Sequence, residues 1–330
     1  KVGLLDAQET ALKLMAKEGN KFTVHAVSIE DTSGLQGVMK DYDAGIVVMP
    51  NRYLSYKAIE SAIEVRLNLV DILEEYHRRP DEYETEGLVI PKGMSIREYG
   101  ESLHQRAEKA NVLILDGMGF APGMSNLTTE RGISLLDKTV AAVARVGGIP
   151  NAEAKERHPL RYMTTWSIEH VLREYNVKTW MIKDGKIIEV QALCDKENFT
   201  FNELGRNEGL ECAVTPGMPS FIYIHPELEY FAEKTVRWPG HYAGIETLIE
   251  TGMLSREPVE TKWGKIAPRE FFLDLLNPKL KPLPEDKDAC IMYNTITGIK
   301  NGKEAKVEYF SWEEAKDGFT GMQRVTGFPA

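Results

Sequence analysis

A G-x-G-x-x-G turn occurs nowhere in this 330-residue chain. That turn normally feeds the helix whose N-terminus holds the pyrophosphate in a dinucleotide-binding half. Cysteine is scarce: Cys194, Cys212 and Cys290 are odd in number and far apart. They build neither a disulfide framework nor a metal-ligand spacing, so no metal is expected, and a reducing cytoplasm is. Basic runs are short and the net charge is −10, which argues against nucleic acid and anionic membranes as partners. No apolar run reaches transmembrane length, and no signal peptide is expected. Repeats and low-complexity tracts are absent as well. The length suffices for two domains with real cores.

The densest signal is Val112–Asn126, VLILDGMGFAPGMSN. Val112 to Leu115 reads as a short buried strand. A helical pattern starts at Met124 and takes in Leu127, Leu135 and Leu136. Between them stand Gly117, Gly119, Phe120, Pro122 and Gly123. Glycine lets backbone approach a ligand closely, and Pro122 stiffens the path. Ligands of open α/β sheets sit outside the carboxyl ends of strands. The loop is therefore a candidate cofactor or substrate contact, with a tight packed turn as the alternative.

Upstream, strands and helices alternate. Lys1–Asp6 is a strand ending in an acid, and Leu12, Met15 and Ala16 share a helical face. Phe22–Val27 is a second strand. Asp43–Pro50 is a third, apolar enough to be buried on both faces. Ile59, Ala62 and Ile63 line a helix, and Asn68–Leu73 is the next strand. This is the grammar of α/β folds: a Rossmann-type, doubly wound parallel sheet whose first strand and glycine loop are missing. Either they lie outside this chain, or the protein lacks them and binds no dinucleotide. Asp6 stands where a ribose-binding acid belongs, and a solvated strand-end acid is the alternative. Glu74–Gly93 is a long polar interruption; its His77, Arg78 and Arg79 suit an anionic ligand, a solvated flap or a subunit contact. Ser95 and Glu98 form a capping box for a helix that buries Ile96, Tyr99, Leu103 and Ala107.

Beyond Asn126 strands dominate. Thr139–Val146 ends in Gly147-Gly148-Ile149-Pro150. Asp184-Gly185 and Asn301-Gly302 are two-residue hairpin turns. Glu211–Thr215 and Thr235–Trp238 are further strands. A helix with Ile245, Leu248 and Ile249 ends at Gly252, and Pro268 starts another. The pattern predicts an α+β domain on a mixed or antiparallel sheet, with Trp312–Ala330 as a closing helix that returns to the first domain.

Five stretches then combine: Asp116–Asn126, Gly147–Pro150, Arg161–Tyr175 with Lys183–Val190, Val236–Leu254, and Met322–Phe328. In that order they make the chain resemble the saccharopine dehydrogenase-like oxidoreductases, most closely the lysine 6-dehydrogenase-like branch. The resemblance implies a dinucleotide-binding domain over 1–125, N-terminally incomplete and joined by 312–330. It implies a substrate and dimerisation domain over 126–311, and a homodimer. The implied reaction is hydride transfer between NAD(P) and the C–N bond of an amino acid, with lysine or a related amine as substrate. Asp6, with no arginine after it, favours NAD over NADP, because an acid repels a 2′-phosphate. Pro50 and Asn51 would line the cofactor, and Gly117–Gly123 would sit beside the nicotinamide. Two departures count against a dicarboxylate such as saccharopine. Val146 replaces a cysteine before the Gly-Gly pair, and Pro216–Ser220 lacks the arginine that relatives carry. A saccharopine- or carboxynorspermidine-type imine reductase and a non-catalytic binding relative are the alternatives.

Individual roles follow. His241, at a helix start, is a neutral base or a packing residue. Arg237 is a carboxylate clamp or a structural ion pair. Tyr162, Thr165, Trp166 and Ser167 bind substrate, or else Trp166 is core and Ser167 a cap. Asp116, at a strand end, holds an ammonium or acts as base. Arg324 and Thr326 fix the returning segment against the first domain.

Overall fold

The computed structural model describes residues 2–17, 21–49, 52–73 and 88–330. Its contacts divide the chain into one unit of Lys1–Met118 with Ala330 and a second of Gly119–Pro329. The division falls before residue 125, and residues 312–329 belong to the second unit.

In the first unit the order is β1 (Val2–Asp6), α1 (Glu9–Ala16), β2 (Phe22–Ala26), α2 (Thr32–Met39), β3 (Ala44–Val47), α3 (Arg52–Val65), β4 (Asn68–Asp71), α4 (Ile96–Ala110) and β5 (Ile114–Leu115). Among the described residues every pairing in this unit is parallel, in two sheets, β1-β2 and β3-β4-β5. α2 escapes a pattern reading because Gly34 and Gly37 dilute its apolar face. The Asp31 carboxylate fixes its start by accepting from Gly34 N at 3.0 Å. Ser95 and Glu98 form the expected capping box. Tyr99, Leu103 and Ala107 of α4 pack with Ile59, Ala62 and Ile63 of α3 against Val47 and Leu69.

That core covers one face of β3-β4-β5. The register aligns Ile46, Val70 and Leu115 in a row on the opposite face, where Ile46 is 57% and Leu115 42% exposed. Val48 and Leu113 are exposed too. β3 is thus buried on one face rather than two, and Val112–Leu115 is a half-exposed edge rather than a buried strand. In α1, Leu12 is buried but Met15 is exposed, so the expected stripe is narrower.

The second unit continues with α5 (Met124–Ser134), β6 (Lys138–Pro150), α6 (Ile168–Glu174), β7 (Lys178–Lys183), β8 (Lys186–Gln191), β9 (Glu197–Phe201), β10 (Glu208–Val214), α7 (Phe221–Ile224) and β11 (Tyr230–Arg237). There follow α8 (His241–Glu250), β12 (Val259–Thr261), β13 (Gly264–Ile266), α9 (Pro268–Leu280), β14 (Asp288–Lys300), β15 (Lys303–Glu314) and α10 (Gly321–Gly327). A mixed sheet runs β15-β14-β6-β11-β10-β9, with β7 pairing both β11 and β8. β6 and β11 are parallel neighbours. Asp184-Gly185 (φ 52° and 68°) and Asn301-Gly302 (φ 50° and 71°) carry the paired positive φ of two-residue hairpins.

β6 does not stop at Gly147 but stays in register with β14 as far as Pro150. Gly147 serves close strand approach, since a Cβ there would lie 2.4 Å from the Val236 carbonyl oxygen. Gly147→Ala should cost about 2 kcal/mol. It should appear as a lower urea midpoint at unchanged slope. Gly209→Ala on β10, where a Cβ meets nothing within 4 Å, is the near-neutral control.

The expected closing helix is shorter than Trp312–Ala330. Trp312 lies within β15, which runs to Glu314, and only Gly321–Gly327 is helical. Buried Asp288 takes the first helical N–H groups, from Gly321 at 2.6 Å and Met322 at 2.8 Å. Arg324 donates to the Glu314 carbonyl at 2.9 Å and pairs with Glu313 at 3.2 Å, which ties α10 to β15.

Candidate substrate-binding site

β11 crosses the second unit with Glu233, Thr235 and Arg237 at alternate positions, and residues two apart share a face of a strand. Arg237 is 4% exposed. Its Nε donates to the Tyr175 hydroxyl at 2.7 Å, and Nη1 donates to the carbonyls of Gly148 (3.3 Å) and Val236 (2.9 Å). The guanidinium carbon lies 5.2 Å from the ring centre of Tyr162 and 5.8 Å from that of Tyr175. No carboxylate pairs with Arg237 among the described residues. A buried cation without a counter-charge is costly. Beside it, the Tyr162 hydroxyl and Thr165 Oγ1 are buried next to each other, and neither has a hydrogen-bond partner beyond that pair among the described residues. Thr165 Oγ1 reaches the open side of Gly148, where a Cβ would come within 3.2 Å of it and 2.5 Å of Met322 Cε. Buried polar groups are normally satisfied. A guanidinium flanked by a hydroxyl pair with one O–H left to give is the chemistry of an oxyanion site.

Arg237 is braced from behind. The Leu160 carbonyl can only accept, so His241 Nδ1 donates to it at 2.9 Å. His241 Nε2 therefore accepts from the Tyr175 hydroxyl at 3.2 Å, while that hydroxyl's oxygen accepts from Arg237. Burial first, then the Arg237 charge, push the His241 pKa down to about 3. The imidazole is neutral, as expected at this helix start, but burial beside a cation is the cause. Both ring nitrogens are engaged, which gives His241 a positioning place behind Tyr175. Glu211 of β10 sets the start of α8 by accepting from Gly240 N at 3.1 Å and Tyr242 N at 2.8 Å.

The other expected residues are dispersed. Trp166 is 40% exposed and lies against the His170 ring, 4.8 Å between centres. Ser167 Oγ accepts from His170 N at 3.4 Å, the capping alternative for that residue. In the first unit, Asp116 is half-buried just after β5, and Gly117 has φ 62° with its N–H on the Leu73 carbonyl at 3.2 Å. In the second, Gly119–Gly123 closes on itself. Gly119 N donates to Pro122 O, Met124 N to Gly119 O and Ser125 N to Phe120 O, each at 2.9 Å. Gly123 has φ 119°, which favours glycine, and its N–H goes to Asn126 Oδ1 at 3.0 Å. Buried Asn294 ties the following helix to β14 through Ser125 O (3.2 Å) and Thr129 Oγ1 (3.1 Å). Asp6 is exposed at the carboxyl end of β1, with Oδ1 accepting from Gln8 N at 2.7 Å. Pro50, Asn51, and residues 74–87 with His77, Arg78 and Arg79 lie outside the described residues.

Tyr175 and Gly148 lie in the Arg161–Tyr175 and Gly147–Pro150 stretches, but nothing in the sequence marks their contact with Arg237. Glu233 does carry a sequence signal: the alternation Glu233, Thr235, Arg237 puts three polar residues on one face of β11. Among the described residues no group of His, Cys, Asp or Glu could hold a metal ion. No described helix is long and apolar enough to cross a membrane.

The family model for the saccharopine dehydrogenase C-terminal domain matches residues 119–330. The chain belongs to this family. The match begins at Gly119, where the second unit begins. Over 299 residues the chain is 24% identical to saccharopine dehydrogenase [NADP(+), L-glutamate-forming] of Saccharomyces cerevisiae, covering 87% of this chain and 60% of the relative. Its Pyricularia oryzae counterpart is also 24% identical, over 76% of this chain and 51% of the relative. Mouse mitochondrial alpha-aminoadipic semialdehyde synthase is 22% identical over 74% of this chain and 25% of the relative. The chain thus spans about three-fifths of the length of the first curated relative and about half of the second. The apo yeast saccharopine dehydrogenase structure superposes with a TM-score of 0.76 at 18% identity, over 100% of this chain and 83% of that one. The fold is shared: a Rossmann-type parallel α/β part followed by a mixed-sheet domain.

Proposed function

We propose that the protein is a nicotinamide-dependent oxidoreductase acting on the C–N bond of an amino acid, in the manner of a lysine 6-dehydrogenase. The observation that carries the reading is the buried Arg237 guanidinium, without a carboxylate partner among the described residues and flanked by the Tyr162 and Thr165 hydroxyls. A carboxylate there would take a charge-assisted N–H bond from Nη2 of Arg237 and an O–H bond from the Tyr162–Thr165 pair. Tyr175 and His241 hold the guanidinium in place for it. Val146 and the arginine-free Pro216–Ser220 favour a monocarboxylate over saccharopine.

The strand order of the first unit supports the dinucleotide. In a doubly wound sheet ordered 3-2-1-4-5-6, strand one lies between strands two and four. β1-β2 match strands two and three, and β3-β4-β5 match four to six, so the break between the two sheets falls at the place of strand one. Asp6, exposed at the carboxyl end of β1, fits the acid that bonds the ribose diol, and with Ala7 after it favours NAD. The yeast relative's name carries NADP(+). When bound, the nicotinamide supplies the hydride acceptor. The same reading makes the protein a homodimer of a reducing cytoplasm, where Cys194, Cys212 and Cys290 stay free.

The test is calorimetry of the whole protein with NAD and NADP, followed by an amine screen that reads formation of reduced nicotinamide. Tighter binding of NAD and turnover of L-lysine are expected. Absence of any dinucleotide binding would leave a non-catalytic binding relative. Preference for saccharopine would replace the monocarboxylate reading.

A further inference from the structure

We infer that Glu233 selects for a substrate carrying a second nitrogen several carbons away from the carboxylate held by Arg237. This rests on the carboxylate-binding role of Arg237. Glu233 and Arg237 lie on the same face of β11, roughly 13 Å apart along the strand, with Thr235 between them. Glu233 is 5% exposed. Its Oε2 is fixed by two donors, Thr215 Oγ1 at 2.6 Å and Gly217 N at 3.1 Å. Thr215 Oγ1 also meets Thr235 Oγ1 at 2.6 Å, which locks the row. Gly217 makes room for the carboxyl: a Cβ there would lie 2.6 Å from Glu233 Cδ. Glu233 Oε1 accepts no hydrogen bond, and no cation pairs with Glu233, among the described residues.

One strand face thus carries a buried cation without an anion and a buried acid without a cation. Each alone is costly, and a ligand with a carboxylate at one end and an amine at the other satisfies both. An amino acid without a second nitrogen satisfies only Arg237. The charged and titratable groups acting on Glu233 are Glu174 of α6 and Arg237 of its own strand. Tyr242 of α8 senses it in turn. Burial, with the Glu174 charge added and the Thr215 and Gly217 bonds opposing, pushes the Glu233 pKa up to about 8. Near pH 7 the carboxyl is therefore mostly protonated, and an arriving ammonium drives that proton off.

L-lysine and L-norleucine, which differ by the distal amine, are the probes. Each is titrated calorimetrically near pH 7 into the whole protein with NADH present, in two buffers of different ionisation enthalpy. Wild type should bind lysine roughly 10- to 100-fold tighter than norleucine, and release a proton with lysine only. Glu233→Gln keeps the shape and the Thr215 contact. It should erase the preference and the proton release, and leave norleucine affinity and the circular dichroism unchanged. A preserved lysine preference in Glu233→Gln overturns the assignment of Glu233 and leaves Arg237 standing. Failure of wild type to bind either amino acid removes the carboxylate reading and this inference with it.

Discussion

Arg237→Lys should lower kcat/KM for the amino-acid substrate by about 10²- to 10³-fold, mostly through KM. Lysine keeps the charge but loses the planar guanidinium, which is anchored through Nε and Nη1 while Nη2 faces a ligand. Arg237 spends Nε on Tyr175 and Nη1 on the carbonyls of Gly148 and Val236, which leaves Nη2 for a ligand. A lysine ammonium cannot hold all three anchors and still present a donor to the ligand. The fold should survive, because the charge stays in the Tyr162–Tyr175 cradle. Steady-state kinetics with L-lysine, beside cadaverine, which lacks the carboxylate, reads the effect. Turnover of cadaverine should be nearly indifferent to the substitution. An equal loss with both amines would mean that Arg237 shapes the site without touching a carboxylate.

Acid should destabilise this protein through His241, and His241→Gln should remove that part of the loss. The imidazole titrates at about 3 in the folded chain, far below its ordinary 6.5. The unfolded chain therefore binds a proton that the folded one refuses between these values. The contribution is fully present above about pH 6.5 and is lost as pH falls toward 3. The slope is at most about 1.4 kcal/mol per pH unit, for a total of about 5 kcal/mol. Glutamine can donate to the Leu160 carbonyl and accept from Tyr175 without titrating. Urea midpoints at about pH 7 and pH 4 should diverge between wild type and variant by about 3 kcal/mol at the lower pH. Parallel acid limbs would place a proton on His241 without cost and undo the account of its burial. Other groups with lowered folded pKa values, such as Asp286, titrate alike in both proteins and cancel in the comparison.

How far the sequence reaches differs between local and distant features. The capping box at Ser95 and Glu98 and the stripe of α4 were readable because caps and helical faces are set within four residues. The Asp184-Gly185 and Asn301-Gly302 turns were readable because their residues tolerate positive φ. Burial on two faces was not readable for β3. Ile46 and Val48 are as apolar as a two-sided strand requires, and only the placement of α3 and α4 on one face leaves them exposed. Gly147 illustrates the same limit. A Gly-Gly pair reads as the end of a strand until β11 is known to pass beside it.

The amino-acid sequence alone determined the alternation of parallel strands and helices, the hairpins of the mixed sheet, and the motif order that placed the chain in its family. Each of these is written in residues close together or in a pattern that survives without contacts. Only the tertiary structure decided that Arg237 is braced by Tyr175, Gly148 and, through Tyr175, His241, and that no counter-ion among the described residues meets Glu233. The parallel pairing of β6 with β11 and the packing of α6 and α8 bring these groups together. Charge pairing and desolvation act through space, and a linear pattern does not encode which distant segment arrives to meet a buried charge.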